Sequence, residues 1–129
     1  MIVVDSSTWI GLLRGDRSPP VDRLRELEDT QNVLVGDIVL LEVLRGVRSN
    51  QQALAIETRL RRFAVTRMLS PALAREGAAH YRGLRARGIT IRKTPDLIIA
   101  TYCIANRHRL LHQDRDFEPF VEHCGLLIA

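Results

Sequence analysis

The chain has 129 residues, a formal net charge of +4 and a hydrophobic content of 46%. That length supports one core rather than two, and no apolar run reaches the ~20 residues of a membrane span. Residues 1–129 are therefore expected to form a single domain with no membrane partner.

Ile2-Val3-Val4 is a short apolar run that ends at Asp5 and predicts a first strand. No positive leader precedes it, so a signal peptide is not expected and a cytoplasmic location is. Ser6-Ser7 then offer an N-cap for a helix through Trp9, Ile10, Leu12 and Leu13, broken by Gly15 and Pro19-Pro20. Val21, Leu24 and Leu27 predict a second helix, to about Glu28. Val33-Leu34-Val35 is the next strand, stopped by Gly36. Asp37 is the expected cap of a helix from Ile38 to about Arg45, apolar nearly all round and so expected to be largely buried.

A further helix is expected from about Asn50 to Arg62. Residues 63–69 are ambiguous, with a short extended segment near Val65. Pro71 opens a long helix that stops near Gly88, where glycine suits a C-cap. Thr94-Pro95 starts another, with Thr94 as N-cap and Pro95 at the first helical position. Leu110-Leu111 predicts a strand, Asp116 caps a short helix that tolerates Pro119 in its first turn, and Leu126-Leu127-Ile128 is a last strand. Strands that alternate with helices argue for a three-layer α/β/α fold around a parallel sheet of four to five short strands. Sites in such sheets form beyond the carboxyl ends of the strands.

Five carboxylates lie in or beside apolar runs: Asp5, Glu42, Asp96, Asp114 and Asp116. A carboxylate is costly to bury unless something pairs it, and a hard divalent ion with oxygen ligands would do so. Asp5 follows a strand, and the serines behind it can cap the helix in its place. Glu42 interrupts Ile38-Val39-Leu40-Leu41, where it either pairs with Arg45 on a wet strip or enters a pocket. Asp96 sits in a helix's first turn, where the dipole alone favours an acid. Asp116 is the expected cap of its helix, which leaves Asp114 as the first choice for chemistry.

The other reactive residues say less. Cys103 and Cys124 lack metal-type spacing, and Cys103 reads as a small core residue. The four histidines form no zinc pattern and read as surface or strand-end residues. Residues 59–93 hold ten basic side chains, ending in Arg92 and Lys93, against one acid, Glu76. Such a stretch suits a phosphate backbone, a solvated helix face or an acidic partner.

Taken together, Ile2-Val3-Val4-Asp5-Ser6-Ser7, Leu41-Glu42-Val43-Leu44-Arg45-Gly46, Thr94-Pro95-Asp96 and Leu111-His112-Gln113-Asp114-Arg115-Asp116-Phe117 resemble a PIN-domain ribonuclease, and more closely the VapC-like toxins of bacterial toxin–antitoxin pairs. The resemblance covers essentially the whole chain. It implies a PIN-like fold and an Mg²⁺-dependent endoribonuclease, with Mn²⁺ as a substitute, that cuts RNA phosphodiester bonds. It implies Asp5, Glu42, Asp96 and Asp114 as catalytic residues. Asp5 and Asp96 would be direct metal ligands, Asp114 a ligand of the same or a second ion, and Asp116 a further candidate. Glu42 would reach the ion through water or orient the nucleophile, and Ser7 or Thr94 would steady a carboxylate. The implied partners are RNA, a cognate antitoxin, a second copy in a homodimer, a toxin–antitoxin hetero-oligomer, and operator DNA only through the antitoxin.

Two other enzyme classes fit less well. A haloacid-dehalogenase-like phosphatase resembles Asp-x-Asp after its first strand, where this chain has Ser7. A phospho-receiver domain needs a lysine after a late strand, and the sole lysine, Lys93, precedes a helix. The remaining alternative is a non-catalytic RNA- or protein-binding module of the same fold.

Overall fold

A computed structural model describes residues 1–129. Five strands, β1 (Ile2–Val4), β2 (Val33–Gly36), β3 (Ala64–Thr66), β4 (Arg109–Leu111) and β5 (Leu127–Ile128), form one parallel sheet in the order β3-β2-β1-β4-β5. Seven helices flank it: α1 (Ser6–Arg14), α2 (Pro19–Leu27), α3 (Asp37–Arg45), α4 (Asn50–Leu60), α5 (Pro71–Ala86), α6 (Thr94–Asn106) and α7 (Glu118–Cys124). The expected α/β/α architecture is the one observed.

The strand sequences explain the sheet's position. Val3, Val4, Val33, Leu34, Val35, Leu110 and Leu111 are all buried, as a sheet covered on both faces requires. Trp9 and Phe63 pack with ring centroids 5.5 Å apart. β3 is the segment the sequence left ambiguous. It is an edge strand whose Ala64 and Val65 are exposed, so it carries no burial pattern to read.

β1 leads to β2 and β3 on one side, and the chain crosses back to place β4 on the other. The register sets Val3 beside both Leu34 and Leu110. The switch in strand order therefore falls between β1 and β4, where a crevice opens beyond the carboxyl ends of parallel strands. Asp5 leaves β1 there, its backbone N–H bonded to Leu111 O at 2.9 Å. Asp114 leaves β4 three residues beyond Leu111.

Several helix starts differ from expectation. Asp5 itself caps α1: its side chain accepts the Ser7 backbone N–H, and Ser6 is already helical. α3 begins at Asp37 with Gly36 in the cap position, and Asp37 Oδ1 accepts from both Ile38 N and Met68 N. That helix is only partly buried, with Leu41 59% exposed. α6 begins at Thr94, so Lys93 takes the cap position. The cap expected from Asp116 is supplied by Asp114, because a 3₁₀ turn over Arg115–Phe117 precedes α7.

Gly36 shows how closely β2 is packed. A Cβ there would overlap the Sδ of fully buried Met68 and lie 2.8 Å from its Cγ. The backbone φ of −77° is ordinary, so the constraint is steric alone. Gly36→Ala is expected to destabilise the fold by about 1–3 kcal/mol. Urea unfolding should show a lower midpoint at unchanged slope, and the loss caused by Gly36→Ala should be smaller when measured in a Met68→Ala background.

Candidate metal centre

Asp5 is 2% exposed. Its Oδ2 is fully engaged, accepting Ser7 N at 3.1 Å and Ser7 Oγ at 2.6 Å, while its Oδ1 is buried without any hydrogen-bond partner. Burial raises its pKa despite the Ser7 bonds, and the nearby charge of Asp114 adds to the rise. Ser7 thus steadies a carboxylate, as the sequence suggested. No comparable bond from Thr94 accompanies it.

Glu42 projects from α3 with a side chain 12% exposed. Ser6 Oγ donates to its Oε1 at 3.1 Å, and Arg45 lies 3.8 Å from Oε2. Burial raises its pKa first, followed by the charge of Asp5. Both readings of Glu42 therefore meet in one residue: it pairs weakly with Arg45 and also faces the other acids.

Asp96, in the first turn of α6, is 4% exposed, and its Oδ2 has no partner. Burial, then the charges of Asp5 and Asp114, pushes its carboxyl up to about 7. Asp114 behaves oppositely. Burial acts to raise it, but the Asp116 N–H at 2.9 Å and the Lys93 ammonium at 3.0 Å outweigh that and hold its pKa below the usual carboxylate range. Lys93 also approaches Asp116 Oδ2 at 3.5 Å.

Carboxylate oxygens of Asp96, Asp114 and Asp116 all lie within 4.8 Å of one another. Asp5 and Glu42 stand outside this tight set yet close enough for their charges to raise Asp96. The five acids named from the sequence thus share one region at the switch point. Two orphaned buried carboxylate oxygens and a set of hard oxygen donors suit Mg²⁺ or Mn²⁺ chemically. Like charges gathered this closely otherwise shift one another's pKa values and favour protonation.

Sequence reasoning missed three supporting residues. Ser6 holds Glu42 across 36 positions, a pairing with no local signal. Gln113 donates its side-chain amide to Ser7 O and its backbone N–H to Ser7 Oγ, tying the two site loops together. His112, a strand-end histidine as expected, accepts the Asp114 N–H on Nδ1 and packs on Phe117 with ring centroids 4.9 Å apart. The basic stretch also divides. Arg59, Arg61 and Arg62 pair with Glu28, Glu57 and Asp29 around the end of α4 that feeds β3, away from the strands' carboxyl ends. Arg92 and Lys93 reach the site.

The largest cavity, about 620 Å³, lies between α5 and α6 and is lined by Leu73, Tyr81, Leu97 and Ile98 among others. It contains none of the five acids, so size is a poor guide to the chemistry here. A smaller, polar hollow of about 320 Å³ touches the acids through Asp116 and is lined also by Thr90, Arg92 and Arg115.

Among curated proteins, the chain is 26% identical over 131 residues to ribonuclease VapC11 of Mycobacterium tuberculosis and equally to a VapC ribonuclease of Mycobacterium bovis, covering 100% of this chain and 98% of each. Among solved structures, it is similar to VapBC2 from Rickettsia felis bound to a DNA fragment from its promoter, with a TM-score of 0.79, 19% identity and coverage of 100% and 98%. VapBC-1 from nontypeable Haemophilus influenzae is similar at a TM-score of 0.74, with 19% identity and coverage of 100% and 97%. The family model described as the PIN domain matches residues 2–121, a span that contains Asp5, Glu42, Asp96, Asp114 and Asp116. The chain belongs to the PIN domain family.

Proposed function

We propose that the chain is a metal-dependent endoribonuclease, the toxin of a toxin–antitoxin pair, and that Asp5, Asp96, Asp114 and Asp116 hold the ion. The observation that carries this reading is the pair of buried, unpartnered oxygens, Asp5 Oδ1 and Asp96 Oδ2. Asp96 is clustered with Asp114 and Asp116 at the switch point of a parallel sheet, and Asp5 is near enough for its charge to raise Asp96. The kinship with VapC ribonucleases supports the substrate class. Mg²⁺ is the proposed ion, with Mn²⁺ able to replace it.

When bound, a divalent ion at this site neutralises charge on the phosphate and lowers the pKa of an attacking water. The chain's own groups do the rest. Ser7 fixes Asp5 through Oδ2 and leaves Oδ1 as a free donor. Ser6 fixes Glu42 through Oε1, and Glu42, its pKa raised by burial, takes up the proton of the attacking water. Asp5, Glu42, Asp96 and Asp114 are the proposed catalytic set.

Mixing the purified protein with RNA, with and without EDTA, separates this reading from a binding module. Cleavage that stops with EDTA and returns with Mg²⁺ supports the nuclease. Binding without product under all conditions would favour the non-catalytic binding module.

The backbone of single-stranded RNA is proposed to run through the hollow flanked by Arg92 and Arg115, neither of which takes part in an ion pair. Each phosphate neutralised there contributes about 0.7 to the slope of log affinity against log salt. Arg92→Gln with Arg115→Gln should lower that slope by about 1.4 and raise KM, with metal affinity unchanged. An unaltered slope in fluorescence-anisotropy titrations would place the RNA elsewhere.

A similar structure from Klebsiella pneumoniae is described as a toxin–antitoxin complex, and VapBC2 is described as bound to promoter DNA. By analogy this chain would pair with itself and with a cognate antitoxin, meeting operator DNA only through that partner. That reading places it in the cytoplasm, and no helix is long and apolar enough to cross a membrane.

A further inference from the structure

The chain has 19 basic residues, and only one, Lys93, is a lysine. That lysine sits on the acidic cluster. Its Nζ is 3.0 Å from Asp114 Oδ2 and 3.5 Å from Asp116 Oδ2. These are two of the three carboxylates whose oxygens lie within 4.8 Å of one another. The backbone holds it there. Lys93 occupies the N-cap position of α6 in extended conformation, with φ −114° and ψ 116°, and its carbonyl closes the first turn onto Leu97 N. The residue that starts the helix carrying Asp96 therefore also delivers a cation to Asp114 and Asp116.

The residue type matters. A guanidinium presents a rigid planar fork that locks in two-point contact on one carboxylate. An ammonium is a compact point charge on a flexible stem, able to bridge two carboxylates and to withdraw. The Lys93 side chain is 54% exposed, so its hold on the acids is that of a solvent-screened pair. A divalent ion ligated by the same oxygens carries twice the charge and has no chain entropy to lose.

Resting on the metal-centre reading above, we propose that Lys93 is a place-holder cation. It bridges Asp114 and Asp116 when no divalent ion is bound, yields those oxygens when the ion enters, and so sets the ion concentration at which the site assembles. It is a positioning residue, acting through the two aspartates. An exposed pair of this kind corresponds to at most about a fivefold change in an equilibrium constant, and removing the competitor should tighten metal binding by up to that factor.

The first test is calorimetric titration of MgCl₂ into the full chain, without RNA. Lys93→Met keeps the apolar stem and loses the charge. It should bind the ion more tightly than the wild type, by up to about fivefold. Its thermal midpoint in EDTA should fall, and its gain on adding Mg²⁺ should exceed that of the wild type. Equal or weaker binding by Lys93→Met overturns the proposal. The second test needs no substitution. Because the chain has one lysine, protein labelled with ¹⁵N-lysine gives a single ammonium resonance. That resonance should shift as Mg²⁺ saturates the site, and amine acylation at Lys93, read by peptide mass, should accelerate. Ion binding with an unmoved resonance overturns the place-holder alone. Calorimetry that detects no ion binding overturns the metal-centre reading and the place-holder with it.

Discussion

Asp5→Asn should abolish RNA cleavage, by about 10³-fold or more, while leaving the protein folded. The two halves of that result have separate causes. Asp5 Oδ2 caps α1 through the Ser7 N–H and hydroxyl, and asparagine caps helices about as well as aspartate. The amide oxygen can take over those bonds. What changes is the buried, unpartnered position now held by Oδ1, where a charged donor becomes an NH₂ group that repels a cation. A thousandfold loss equals about 4 kcal/mol of barrier, in scale with losing one oxygen donor at a metal-assisted phosphodiester hydrolysis.

Stability should move far less. Burial and the charge of Asp114 both disfavour the ionised form of Asp5, so the neutral amide relieves strain in the metal-free protein. The new NH₂ group, itself buried without a partner, offsets part of that gain. Thermal melts in EDTA should place the variant within a few degrees of the wild type, whereas Mg²⁺ should raise its midpoint much less. A folded Asp5→Asn protein that cleaves RNA at the wild-type rate, with or without EDTA, would exclude the proposed centre.

The strands and most helices were legible because a parallel sheet leaves a strong trace. Runs such as Val33-Leu34-Val35 are apolar throughout, and Gly and Pro punctuate the helices. β3 left none, since an exposed edge strand of three residues has no face to bury. The acids stood out for a related reason, as charges adjoining buried runs. Their detailed roles did not. A cap shifts by one residue at no visible cost in sequence, so Asp114 and Asp116 exchanged places once the 3₁₀ turn intervened. Thr94 and Lys93 did likewise at α6. Partners far apart in the chain were invisible altogether. Nothing local joins Ser6 to Glu42 or Lys93 to Asp114, and the basic stretch that reads as one feature is split between the two ends of the sheet.

Metal affinity should rise steeply with pH up to about 7 and then level. Asp96 drives this, because the folded protein holds its carboxyl at about 7 against an ordinary 3.8. Across that interval the folded chain keeps a proton that the unfolded chain has released. Without metal, the resulting stability is fully present below pH 4 and is lost as pH climbs toward 7, by no more than about 4 kcal/mol at 1.36 kcal/mol per unit. Asp5 and Glu42, also raised, push in the same direction. Asp114 opposes them only at low pH: its lowered pKa gives stability that is present above about pH 4 and lost below it. A divalent ion needs the ionised carboxylates, so binding must expel the Asp96 proton. Affinity should therefore increase by up to about tenfold for each pH unit below 7. Titrations at pH 6 in buffers of different ionisation enthalpy should report the release of about one proton, and at pH 8 almost none. Asp96→Asn removes the titrating group, so its melting temperature in EDTA should vary less between pH 5 and 8 than that of the wild type. Equal pH dependence in the two proteins would mean that Asp96 is already ionised in the metal-free fold, and that Lys93 alone suffices to balance the cluster.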